Sequence, residues 1–268
     1  MTRSRLIASL AAALAIPLAV ACQRDDRAVA ERLDSIDKHL QELTKAVASG
    51  ARGGPGARAE RPRPKPDTTY SIPVEDSPAR GPKDALVTVV EGFDFACPYC
   101  EQSRDTVEQL LESYPKDVRV VYKNFVVHTA TATTPALAAC AANKQGKYAD
   151  MNKLIWEKGY KAGRNLGDDN MAKLAQEVGL DGDRFKKDMA SPECKKEISE
   201  DQQQLARVGV SGTPAFYVNG RWVQNRSLDK FKQLIDEELN KAKERVAQGT
   251  KPADYYKQWV VEKGSKTL

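Results

Sequence analysis

Two cysteines two residues apart, in Cys97-Pro98-Tyr99-Cys100, are the side chains of this sequence best suited to chemistry. At that spacing one sulfur can act as nucleophile in thiol-disulfide exchange. The other, one helical turn later, can attack the resulting mixed disulfide and release the partner. The same pair could instead be half of a zinc site, which requires two more ligands. Only Cys22, Cys140, Cys194, His39 and His128 remain, and they include no second close pair. Paired thiolates also suit Cu(I), so a copper-gripping module stands as a competing reading. Redox exchange is the expectation, without a metal or a cofactor.

The surrounding sequence positions these sulfurs. Ala85 to Phe95 (ALVTVVEGFDF) is apolar and β-branched, so it predicts a buried strand running into the motif. Pro98 suits a first helical turn, and Val107, Leu110 and Leu111 give the following helix one packed face. The helix start aims unpaired amide N–H groups and the positive end of the dipole at the Cys97 sulfur, which favours its thiolate. Cys97 is therefore the expected nucleophile and Cys100 the resolving thiol. Glu91 shares strand parity with Phe93 and Phe95. It is expected beneath the motif, where desolvation would raise its pKa and let it accept the Cys100 proton. Lys123 is a weaker candidate for its charge partner, and His128 reads as a surface residue.

The chain has 268 residues, a formal charge of +5 spread over both signs, and five cysteines. Basic residues do not gather on a helix with interleaved aromatics, so no nucleic acid is expected as a partner. Residues 1–21 read as an export signal: Arg3 and Arg5, an apolar run from Leu6 to Val20, then a small-residue cleavage site. Cys22 follows directly, and the segment resembles a bacterial lipoprotein signal in which that cysteine is lipidated. The alternative is simple secretion with Cys22 as a spare thiol. In that resemblance, Gln23 points to the outer membrane. In an exported protein the remaining pair, Cys140 and Cys194, is expected to be oxidised to a structural disulfide.

Residues 22–49 predict a helical stalk. Val29, Leu33, Ile36, Leu40, Leu43 and Val47 alternate spacings of four and three, a heptad seam. A helix of about three heptads is marginal alone, so a homo-oligomer through residues 27–49 is favoured over a solitary amphipathic spacer. Residues 50–69 are rich in Gly and Pro and predict a linker. The folded domain is expected over residues 70–268. It begins with a short strand over Tyr70 to Val74, and Val118 to Tyr122 is the next strand after the motif helix. A helical stretch covers about residues 129–208, with Thr134 and Pro135 opening its first helix. Ala215 to Val218 turns at Asn219-Gly220 into Arg221 to Val223. Ser227 to Lys243 and Ala253 to Val261 predict closing helices.

Strand, CPYC, helix, helical insertion, and then Val210-Ser211-Gly212-Thr213-Pro214 entering a hairpin: from about Tyr70 to Lys263 the chain resembles the DsbA-like branch of the thioredoxin superfamily. The resemblance implies an α/β thioredoxin-like fold with an inserted helical subdomain. It also implies a cis peptide bond between Thr213 and Pro214 beside the cysteines, and an acidic residue at the place of Glu91. The exposed backbone there could pair with an extended substrate as an added strand. The function implied is an exported thiol-disulfide oxidoreductase on the periplasmic side of the cell envelope. Its partners would be cysteine-containing exported proteins and a separate redox partner. The stalk and Thr213 resemble features of oligomeric disulfide isomerases, so oxidase and isomerase or reductase directions both stand.

Overall fold

The computed structural model describes residues 29–42, 44–45, 62–75 and 77–268. The signal segment, Cys22, residues 50–61 of the linker, and Leu43 and Val47 of the heptad seam lie outside the described residues. The chain divides into two compact units, Met1–Arg61 and Pro62–Leu268. Within the first, residues 29–42 form a helix, α1, on which Val29, Leu33, Ile36 and Leu40 are each 55–60% exposed. No described helix is long and apolar enough to cross a membrane.

The second unit begins earlier than residue 70. Arg221 holds the Pro66 carbonyl and reaches Asp67, and the Lys65 N–H donates to the Tyr70 hydroxyl, so residues 62–69 are docked rather than free linker. Tyr70, Ile72 and Val74 are buried alternately, as an extended segment should be, but only isolated bridges form, Thr69 to Arg221 and Tyr70 to Ser265. The five-stranded sheet runs β1 (Ala79–Arg80), β3 (Val118–Asn124), β2 (Val87–Phe93), β4 (Ala215–Val218), β5 (Arg221–Trp222). β2 and β3 are parallel, and the other pairings are antiparallel. A parallel pair needs a crossover. Helix α2 (Pro98–Ser113) supplies it. The sharp β4–β5 turn needs a left-handed backbone at both central residues, and Asn219 (φ 44°) and Gly220 (φ 80°) provide it.

Strand parity sorts the core into two layers. Val87, Val89 and Phe93 pack with Val120 and Tyr122 against α2 and against α8 (Leu228–Ala247) through Phe231 and Ile235. Val90, Val121 and Tyr217 face the other way, onto Tyr70, Ile72 and Leu205. Both faces are covered, so all seven residues of β2 are buried. Gly92 lets the far layer press close, because a Cβ there would stand 2.9 Å from Leu205.

Between β3 and β4 lie α3 (Thr129–Asn143), α4 (Tyr148–Leu154) running into a π-helical turn (Ile155–Tyr160), α5 (Asp168–Val178), α6 (Gly182–Ala190) and α7 (Pro192–Arg207). α3 starts five residues before the expected Thr134 cap and carries Pro135 inside it. The hydroxyls of Thr131 and Thr133 bond backward to the carbonyls of His128 and Thr129, and burial of Ala132 and Ala136 outweighs the bond that proline cannot make. A Cys140–Cys194 disulfide, Cα to Cα 5.7 Å, joins α3 to α7. The chain closes with α9 (Pro252–Tyr255) and a second π-helical turn (Tyr256–Val261).

Candidate active site

Cys97 sits at the N-cap of α2 in extended conformation, with Pro98 at the first helical positions. Its carbonyl accepts the N–H groups of Cys100 and Glu101, so the helix starts at this residue. Cys97 and Cys100 are free thiols, and both are buried. The Thr213–Pro214 peptide is cis, and the Thr213 carbonyl accepts the Cys97 Sγ–H at 3.4 Å. The Arg226 guanidinium donates to the Pro214 carbonyl at 3.0 Å and anchors this loop from the far side of the β4–β5 hairpin. The motif and the proline loop, 116 residues apart in sequence, thus meet at one sulfur.

Asp94 builds the platform before the nucleophile. Its carboxylate is buried and accepts the N–H groups of Ala96, Val127 and His128 at 2.7–2.8 Å, with His128 Nδ1 at 3.1 Å. Its carbonyl accepts the Cys97 N–H at 3.0 Å. One side chain therefore ties the β2–α2 loop to the β3–α3 loop. Its place between Phe93 and Phe95 at the end of an apolar run is the one local signal for such a role, and its partners come from a second loop. Tyr99 (62%) and Val127 (49%) are, with Leu268, the exposed large apolar side chains of the described part of this unit.

Glu91 lies beneath the motif, in a cavity of about 430 Å³ that it shares with Cys100, Arg104 and Trp156. Burial pushes its carboxyl up to about 7, against the opposing effects of the Ser103 hydroxyl, which donates to it at 3.2 Å, and the Arg104 charge. Burial first, and then the charge of Glu91, push the Cys100 thiol far above its ordinary range. Such a thiol does not ionise into bulk solvent near neutrality, so a proton acceptor in its own cavity is what its chemistry requires. Lys123 does not serve Glu91. It follows Val121 in parity and faces the opposite layer, where its Nζ meets Asp201 Oδ1 of α7 at 2.6 Å. Tyr122 is the β3 residue beside Glu91. Among the described residues no group of three or more His, Cys, Asp or Glu is placed to hold a metal.

Comparison with known proteins agrees with this geometry. A family model described as a DSBA-like thioredoxin domain matches residues 88–236. The probable disulfide bond formation protein D of Bacillus cereus is 32% identical over 171 residues, 60% of this chain and 78% of that protein. A Na(+)/H(+) antiporter NhaA 3 of Salinispora tropica is 38% identical over 145 residues, 53% of this chain but 21% of its own length. The chain thus spans about a fifth of the antiporters it matches. Oxidised BdbD of Bacillus subtilis superposes with a TM-score of 0.59 at 22% identity, covering 65% of this chain and 98% of that one, a likeness of fold.

Proposed function

The chain belongs to the DsbA-like thioredoxin family, and from that premise we propose that it exchanges disulfides with cysteine-containing exported proteins through Cys97 and Cys100. The observation that carries the reading is the pairing of an N-cap thiol, held against the Thr213 carbonyl, with a second thiol buried over an acid one turn later. In the reducing direction the Cys97 thiolate attacks one sulfur of a substrate disulfide, and the other sulfur leaves with the electron pair. Glu91 then takes the Cys100 proton, and the Cys100 sulfur attacks Cys97. The Cys97–Cys100 bond forms as the Cys97–substrate bond breaks. Oxidation of a substrate dithiol is the same path in reverse. Tyr99 and Val127 offer apolar contact beside the sulfur, and the proline loop offers backbone to an extended segment.

Export, and attachment to the membrane through a lipidated Cys22, rest on the first 22 residues. A homo-oligomer through residues 27–49 is supported by the bare apolar stripe of α1, which a second copy of the same helix would cover. That arrangement favours isomerase or reductase use, since several sites would then face one misfolded client. The deciding experiment is a Cys100→Ala variant of the full chain expressed in its own cell envelope. Disulfide-linked adducts through Cys97 that dissolve on reduction support exchange. Absence of adducts, with stoichiometric copper on the purified wild type, supports the metal reading instead.

A further inference from the structure

The cavity shared by Cys100 and Glu91 also holds the guanidinium of Arg104. Ser103 and Arg104 follow Cys100 by three and four residues on α2, so all three share one helix face, and this face looks onto Glu91. The Ser103 hydroxyl is shared between the Cys100 carbonyl at 2.9 Å and Glu91 Oε1 at 3.2 Å, which fixes the carboxyl against the helix. The Arg104 guanidinium lies 5.9 Å from the centroid of the Trp156 ring, on the π-helical turn that forms the opposite wall.

The other charged groups that line the cavity are Arg80, Glu108, Asp150, Lys153 and Glu157. Arg80 is held by Glu108 in a bidentate ion pair. The hydroxyls of Tyr122 and Tyr148 stay neutral, because burial pushes both well above their ordinary range. Asp150, Lys153 and Glu157 line the side formed by α4 and its π turn. Lys123 is on the far side of the sheet, paired with Asp201. Arg104 is in no ion pair among the described residues, and its charge acts on Glu91 and on Glu108.

We propose that Arg104 is a positioning residue for the resolving step: laid against Trp156 and facing Glu91 across the cavity, it holds that carboxylate ready for the Cys100 proton, which the cavity then passes to water. This rests on the reading of Glu91 as proton acceptor. In the step, Cys100 Sγ–H gives its proton to a Glu91 oxygen, the Cys100 sulfur bonds to Cys97, and the substrate sulfur leaves as a thiolate. Two electrons pass from the dithiol to the substrate disulfide. Glu91 afterwards loses its proton to cavity water and returns to the carboxylate. The Ser103 hydrogen bond and, less strongly, the Arg104 cation at the cavity wall keep that carboxylate populated near neutrality, where burial alone would leave it protonated.

The test uses the full chain, reduced, and mixed rapidly with an aromatic disulfide whose released thiol absorbs light. The first release reports attack by Cys97 and the second reports resolution by Cys100. For the wild type, the second phase should accelerate as pH rises through about 7. In Arg104→Met the inflection should move upward, so that near pH 6 the second phase slows severalfold while the first is unchanged. Arg104→Lys should restore the wild-type profile, and Arg104→Gln repeats the measurement if the Met variant unfolds. Glu91→Gln should abolish the inflection. If Glu91→Gln abolishes it but neither neutral Arg104 variant moves it, the role of Arg104 is refuted and that of Glu91 survives. If Glu91→Gln leaves the inflection in place, the reading of Glu91 as acceptor fails, and this proposal with it.

Discussion

Lys123 Nζ lies 2.6 Å from Asp201 Oδ1, and both side chains are buried. Asp201 Oδ2 also accepts the Asn124 N–H at 2.9 Å, so one carboxylate satisfies a side chain and a backbone group of β3. The pair sits on the sheet face opposite Glu91 and joins the active-site end of the sheet to the last helix of the insertion.

Breaking that pair from one side should be costly, because it strands a charge without water. Asp201→Leu alone should lower the unfolding free energy by about 3–5 kcal/mol, whereas Asp201→Leu with Lys123→Met should recover most of the loss. Urea unfolding of the three proteins decides the matter. Equal destabilisation in the single and double variants would mean that the pair is not the element holding α7 to β3.

The ionisation of Glu91 links stability to pH. Burial raises its pKa from 4.5 to about 7, so the folded state favours the protonated carboxyl. Its stabilising contribution is whole below the lower value and lost as pH rises through the upper one, a swing of up to roughly 3 kcal/mol. Glu91→Gln, which cannot ionise, should therefore be more stable than the wild type at about pH 8 and lose that advantage by about pH 5. Unfolding curves at both values test this. A difference that does not change with pH would count against a buried, titrating Glu91.

Asp94 should matter to both stability and rate. Asp94→Ala removes the acceptor of three N–H groups, with a loss of about 2–4 kcal/mol expected, and Asp94→Asn should lose less by keeping one carbonyl oxygen. The first phase of thiol release, which reads Cys97, should slow in the Ala variant, because the loop that sets the helix start is no longer tied to the β3–α3 loop. A variant that melts lower yet reacts at the wild-type rate would confine Asp94 to stability.

The Cys140–Cys194 bridge closes a sequence separation of 54 residues, for which chain entropy gives about 4 kcal/mol. Replacing both cysteines by alanine should lower stability by that order and leave the Cys97 and Cys100 phases intact. Thiol titration of denatured, mildly reduced protein should find the active-site pair and leave these two oxidised. Four reactive thiols among these positions would argue against the bridge.

For the stalk, Leu33→Asp with Leu40→Asp places charge on the apolar stripe of α1. Sedimentation of the full soluble protein should show an oligomer that the double variant dissolves. A monomer in both cases would end the idea of self-association.

Much of the local architecture is legible in the order of residue types along the chain. A β-branched run leading into Cys97-Pro98 could only be a buried strand opening a helix, and Asn219-Gly220 between two short apolar runs could only be a tight hairpin. Strand parity even placed Glu91 beneath the motif, since a period of two carries side-chain direction without knowledge of the fold. Tertiary structure alone decided what meets across long separations. It put Thr213 against Cys97, as the family resemblance implied and no local pattern could, turned Lys123 to Asp201 instead of Glu91, and gave Asp94 its donors from a loop more than thirty residues away. It also carried α3 through Pro135, where burial of a small-residue face outweighed a local rule. Periodicity records which way a residue faces, whereas its partner depends on which layer closes over that face, and that is settled only when the whole chain packs.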